Sequence, residues 1–157
     1  MRRSAVLLAA VAGFLTLAAF REPDMTTTVK PQDLSVNSVD GVALSGYDPV
    51  AYFRQGRPAK GKTSYTYRYN GVVWAFENKE NRSTFAIDPA AYVPQFGGYS
   101  AYDVAKGMLK DANPETWSII DGRLYLNRDD TIASRWDTAR AQKISRAQAY
   151  WDSIFTP

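Results

Sequence analysis

The chain of 157 residues fits one domain, and its 45% hydrophobic and 13% aromatic content can build a real core, which excludes a disordered polymer and a disulfide-stapled miniprotein. It contains no cysteine and no histidine, which excludes a disulfide, a thiolate nucleophile, a Ser-His-Asp triad, an imidazole base and every Cys/His metal site. The formal charge of +3 falls to near neutrality once Arg2 and Arg3 at the extreme N-terminus are set aside, so the folded part offers no basic surface for nucleic acid.

Met1-Arg2-Arg3 precedes an uncharged apolar run from Ser4 to Phe20, which Arg21-Glu22-Pro23-Asp24 ends. This is the plan of a secretory signal peptide. Residues 1–23 are read as a signal peptide or, if uncleaved, an N-terminal anchor, because the run of about 17 residues sits at the short edge for spanning a bilayer. Ala18 and Ala19 supply small residues for cleavage, but Thr16 or Leu17 must then fill the −3 position. With no cysteine after the run, a lipoprotein is excluded. Both readings place the domain outside the cytoplasm, periplasmic or otherwise exported, and let it meet a membrane only through an uncleaved N-terminal segment. Residues 24–41, with Thr26-Thr27-Thr28 and Pro31, read as a flexible lead-in to a domain over 42–157.

Within the domain, Asp48-Pro49 has the form of an N-cap with proline in the first helical position, starting a short helix that Gly56 ends. Ser64 to Phe76 reads as a hairpin turned at Asn70-Gly71, a pair that accepts positive φ. A two-residue turn then pairs Tyr69 with Val72, Tyr67 with Trp74 and Tyr65 with Phe76 on one face, and leaves Thr66, Arg68, Val73 and Ala75 on a wetter one. Asn78 can cap a helix to Ile87 anchored by Phe85, and Asp88-Pro89 repeats the capping device before Ala90-Ala91-Tyr92. Gly97-Gly98 breaks the chain before a short helix over Ala101 to Met108. A second hairpin turns at Asp121-Gly122, pairing Ile120 with Arg123, Ile119 with Leu124, Ser118 with Tyr125 and Trp117 with Leu126; Trp117, Ile119, Leu124 and Leu126 form its apolar face. From Asp129 to Phe155 the pattern is helical, with a stripe of Ile132, Trp136, Ala139, Ala147, Trp151 and Ile154 that weakens at Arg140 to Lys143, where a bend would divide it into two helices. The order of elements predicts an α+β fold, two β-hairpins forming a small antiparallel sheet packed with short helices and a C-terminal helix.

Four segments carry a resemblance: Ser45-Gly46-Tyr47-Asp48-Pro49-Val50-Ala51-Tyr52-Phe53, the run Asn70 to Phe76, the run Asp88 to Tyr102 with its Gly97-Gly98-Tyr99-Ser100, and Trp117 to Asn127. Taken in order, over roughly Val42 to Phe155, they resemble the exported bacterial YHS-domain family, some of whose members are selenoproteins. The resemblance implies a small α+β fold and a family with no agreed biochemical role. A related shorter module accompanies heavy-metal transport ATPases, which makes metal binding the usual inference. In that family the Gly-Gly-Tyr motif is usually followed by cysteine or selenocysteine; here the position is Ser100, and Asp103 stands where a small residue is expected. A hydroxyl in place of sulfur removes the redox centre and the soft-metal donor.

The candidate ligand-binding residues are Tyr47, Asp48, Gly97, Gly98, Tyr99, Ser100 and Asp103. Gly97-Gly98 allows backbone N–H groups to approach an anion, with Ser100 adding a hydroxyl; the alternative is a tight turn with Ser100 as an N-cap. Tyr47 beside Asp48 suits a ligand or a proton transfer, against a plain cap. The rings of Tyr65, Tyr67, Trp74 and Phe76 can face a planar ligand or fill the core. Asn127, Asp129 and Asp130 form a weak hard-cation set or cap the last helix, and the Asn81-Arg82-Ser83 sequon falls in a predicted helix. The expected function is a non-enzymatic extracytoplasmic binding or accessory module for a small molecule, an anion or a protein partner. One alternative is a metal-handling protein, for copper or another heavy metal, with oxygen ligands from Asp48, Asp103 or Asn127. The other is an enzyme built on Ser100 and a carboxylate. The residues assign no cofactor and no catalytic group.

Overall fold

Positive φ at Asn70 and Gly71 closes a hairpin between β3 (Lys62–Tyr69) and β4 (Val72–Phe76), as the turn chemistry requires. In the computed structural model, residues 35–155 are described. The signal peptide or anchor and most of the lead-in therefore lie outside the described residues. Ser35 to Gly41, assigned to the lead-in from sequence, belong to the fold: Val36 is buried, and β1 (Ser38–Val39) pairs with β2 (Val42–Ala43). β2 in turn runs parallel to β4, through Val42 and Val73, giving a four-stranded sheet ordered β1-β2-β4-β3. The remaining elements are α1 (Pro49–Arg54), α2 (Lys79–Ile87), α3 (Ala101–Val104), β5 (Asn113–Ile120), β6 (Arg123–Asn127), α4 (Asp130–Asp137) and α5 (Arg140–Phe155). Single 3-10 turns lie at Leu44–Gly46, Pro89–Ala91 and Gln95–Gly98. The fold is α+β, with the β5–β6 hairpin as a separate two-stranded sheet.

The register of β3 on β4 follows the turn for two aromatic positions and then departs. Tyr69 faces Val72 and Tyr67 faces Trp74, but Lys62, not Tyr65, pairs with Phe76 across an irregularity between Lys62 and Thr66. The cause lies upstream. The start of β3 is tied to the segment before α1, where the Asp48 N–H donates to the Ala59 carbonyl and the Gly61 N–H to the Gly46 carbonyl, both at 2.8 Å. That second attachment overrides the turn's register. It also changes the face expected to be wetter: Arg68 is exposed, but Ala75 is buried.

All four predicted pairs of the second hairpin are present. Its two faces both bury side chains. Leu124, Leu126 and Trp117 join one core with Phe85, Trp74 and Phe76, while Tyr125 and Ile120 join a second with Phe96, Tyr99, Val104 and Trp136. Ile119, expected on the apolar face, is 37% exposed. The hairpin is thus a partition between two cores. Phe85 centres the first, with ring centroids of Phe76, Trp74, Tyr69 and Tyr67 at 5.1, 5.4, 5.9 and 6.0 Å. Full burial of such a side chain contributes about 3 kcal/mol.

Two helices are shorter than the pattern predicts. α3 ends at Val104, not Met108, because the N–H groups of Lys106 and Met108 both turn back to the Asp103 carbonyl and Gly107 takes a positive φ. The C-terminal helical stretch divides at Thr138–Ala139, slightly before the expected bend, with Ala139 at φ 51°. Asp88-Pro89 starts a single 3-10 turn and no α-helix. Among the described residues, no helix is long and apolar enough to cross a membrane.

Candidate functional site

Asp48 is fully buried and caps α1: its Oδ1 accepts from the N–H groups of Val50 (2.8 Å) and Ala51 (3.3 Å). Its Oδ2 accepts from the Glu77 N–H (2.9 Å) and from Asn81 Nδ2 (2.7 Å). Four donors fill both oxygens, so Asp48 joins α1, β4 and α2 and has no face for a ligand. The same bond fixes Asn81, 3% exposed, in α2, which removes the sequon from reach of a glycosyl acceptor role.

Tyr47 points elsewhere. Its hydroxyl donates to Glu115 Oε1 at 2.9 Å, and the Lys60 ammonium lies 4.0 Å from its ring centre. The hydrogen bond to the carboxylate, which ionisation would abolish, raises the phenol's pKa, with smaller contributions from burial and the Glu115 charge. One turn along α1, the buried Tyr52 hydroxyl donates to the Pro114 carbonyl at 2.8 Å. Burial first, then the charges of Tyr47, Asp48 and Glu115, raise its pKa strongly. Neither phenol is poised to give up a proton near neutral pH.

The double glycine is a packing device. Gly97 has φ 60°, and a Cβ there would lie 2.2 Å from the Ser35 carbonyl oxygen, so only glycine fits. Its own carbonyl accepts from the Asn37 N–H at 2.8 Å. A Cβ on Gly98 would meet Pro94 and Leu44 at 3.2 and 3.3 Å. The loop therefore clamps the N-terminal segment. Tyr99, 7% exposed, packs near Trp151, and burial, with the Asp111 charge, raises its pKa.

Ser100 occupies the N-cap position of α3 but does not cap it. Its hydroxyl instead donates to Asp103 Oδ2 at 2.6 Å, where Arg128 Nε also lies at 3.3 Å. Asn127 supplies the missing contact: its Oδ1 accepts from the Tyr102 N–H at 3.1 Å. Ser100 is fully buried and Asp103 is 2% exposed, so this is an internal charge-compensated joint. A nucleophile needs access to substrate, and Ser100 has none in this arrangement. At the adjoining surface, the Lys106 ammonium beside Tyr102, and then Arg135, hold that phenol's pKa below its ordinary value.

The seven predicted residues thus divide into separate places. Gly97, Gly98, Tyr99, Ser100 and Asp103 lie along one stretch, with Ser100 and Asp103 directly bonded, while Asp48 and Tyr47 use entirely different partners. Asp129 Oδ1 caps α4 through the Ile132 N–H at 2.8 Å, and no group of three or more His, Cys, Asp or Glu suited to a metal occurs among the described residues.

Open space lies beside Gly97. A cleft of about 300 Å³ is bounded by the Gln95–Gly98 turn, the Asn70 end of the β3–β4 hairpin and the C-terminal part of α5. Phe96 and Trp151 form part of its wall, with ring centroids 6.0 Å apart, and Trp151 lies 4.3 Å from Phe155. Of this lining, the sequence singles out Gly97 as a candidate ligand-binding residue and Trp74 as a ring that faces a planar ligand or fills the core; Trp74 is 1% exposed and fills the core. Asn70 reads as a turn residue and Trp151 as core, and no local pattern announces a cavity assembled from three distant segments.

No family model matches the chain, and no curated protein or solved structure matches it.

Proposed function

We propose that this chain is a non-enzymatic, extracytoplasmic binding module whose ligand enters the cleft between the Gln95–Gly98 turn and α5. The observation that carries the reading is the cleft itself, which adjoins Gly97 and reaches Tyr99 through Trp151. Here the predicted Gly97–Tyr99 segment borders open space, whereas Asp48, Ser100 and Asp103 are bonded inward and Tyr47 is engaged with Glu115 at the surface. The apolar leader of residues 1–23 supports export, and the resemblance to exported YHS-domain proteins supports an accessory role.

The test is a fragment screen by two-dimensional amide NMR on the chain purified without chelator, with elemental analysis of the same sample. Bound fragments are expected to shift the resonances of Gln95, Gly97 and Trp151, and Trp151→Ala to weaken them. Fragments that bind only elsewhere, or none that bind, would overturn the reading. A stoichiometric metal would transfer the assignment to metal handling through oxygen ligands.

A further inference from the structure

The lining of the cleft is uncharged throughout, although 22% of the chain is charged. In place of charges it holds three carboxamides, Asn70, Gln95 and Gln148, beside the partly exposed rings of Trp151 and Phe155. Resting on the binding-module reading above, we infer that the ligand is a short neutral saccharide.

An anion or cation entering this cleft would lose hydration without meeting an opposite charge, which is costly. A purely apolar ligand would strip water from the carboxamides and give nothing back. The side chains of Asn70 and Gln95 make no hydrogen bond within the described residues, so their donors and acceptors are open to a ligand. The Gln148 Nε2 donates to Asp152 Oδ1 at 2.7 Å, which holds that amide and leaves its oxygen as an acceptor. Each carboxamide both donates and accepts, which matches hydroxyl groups that do the same. The C–H-rich face of a sugar ring supplies the apolar counterpart for Trp151 or Phe155.

A peptide is the competing neutral ligand, since its amides also donate and accept. The walls of the cleft argue against it. They are the Gln95–Gly98 turn, the hairpin end at Asn70, a helix end and Trp74 of β4, a strand already flanked by β2 and β3, and the Gly97 carbonyl is already bonded to the Asn37 N–H, so none of them offers a ladder for a peptide to continue. The small volume likewise suits a compact ligand more than an extended chain.

The deciding experiment titrates the purified full chain with neutral oligosaccharides of glucose, galactose, mannose and N-acetylglucosamine. Indole, tetra-alanine and glucuronate serve as the other arms, all followed by amide and side-chain carboxamide resonances. At least one saccharide should shift the Asn70 and Gln95 side-chain amides and the Trp151 indole. Asn70→Gly, which preserves the turn's positive φ, should weaken that saccharide about fivefold while leaving thermal stability and indole binding unchanged. If indole, tetra-alanine or glucuronate enters the cleft and no saccharide does, the ligand class is wrong and the binding module stands. If neither these probes nor the fragments above reach the cleft, both inferences fall.

Discussion

The chain begins two helical segments with the same dipeptide, and the two starts have little else in common. Asp48-Pro49 opens an α-helix in which Pro49, Val50, Ala51 and Tyr52 are all buried, and the aspartate is 0% exposed. Asp88-Pro89 opens one 3-10 turn with no buried residue, and the exposed aspartate reaches only the Ala91 N–H, at 3.4 Å. In both, proline presets φ and the carboxylate offers a cap. A six-residue helix cannot sustain itself by propensity. What separates the two starts is tertiary: the second oxygen of Asp48 is held by the Glu77 N–H and Asn81, and the apolar face of α1 is covered. The cap permits a helix, and burial decides whether one forms.

The largest effect therefore belongs to Asp48. Asp48→Ala removes a cap and orphans the half-buried Glu77 N–H and the buried Asn81 amide, for an expected loss of about 3–5 kcal/mol in urea unfolding. Asp48→Asn should recover little, because its NH₂ would confront one pair of donors. A loss confined to about 1 kcal/mol would mean that only the cap matters, and the contrast between the two starts would collapse.

The buried helix start also carries a buried phenol, and this gives a pH signature. The Tyr52 pKa is raised above its ordinary 10.0, chiefly by burial. A raised folded pKa stabilises the fold fully below the unfolded value and loses that contribution as pH climbs through the interval above it. Stability should fall above pH 10, with Tyr52 contributing about 1.4 kcal/mol per pH unit. Tyr52→Phe should lose about 1 kcal/mol at neutral pH with the bond to Pro114, yet decline less steeply in alkali. Burial also raises Tyr99 and Tyr125, so the slope should diminish without vanishing. An unchanged alkaline slope in Tyr52→Phe would show that this phenol ionises freely in the folded protein.

Much of the fold was legible because its signals are local. Asn70-Gly71 and Asp121-Gly122 set two registers, and Asn78 and Asp129 cap their helices as read, accepting from Asn81 and Ile132. Failures came where a distant partner outweighs the local pattern. The register at Tyr65 yields to ties that hold the start of β3 on the segment before α1, and the Ser100 hydroxyl leaves the helix end for Asp103, a carboxylate that Arg128 from beyond β6 also holds. The candidate site was less legible for the same reason. Polar residues at helix starts draw attention in a sequence whether they face a ligand or a buried donor. The carboxamides of Asn70, Gln95 and Gln148 look ordinary until folding sets them around one space.

The smallest expected effect completes the comparison of the two starts. Asp88→Ala deletes a long, exposed cap on a turn that buries nothing of its own. What attaches this turn is its next residue: the Tyr92 ring meets Phe53 of α1 edge-on, with centroids 5.4 Å apart. The expected loss is about 0.5 kcal/mol, read as a fall in melting temperature of no more than about 2 °C. Phe53→Ala should loosen the turn more than Asp88→Ala does, seen as faster amide exchange at Tyr92 and Val93, whose N–H groups both bond to the Pro89 carbonyl at 3.0 Å. If Asp88→Ala instead proved as damaging as Asp48→Ala, the dipeptide itself would be the source of stability. Burial would then follow from the cap at both starts, and the difference between helix and turn would need another cause.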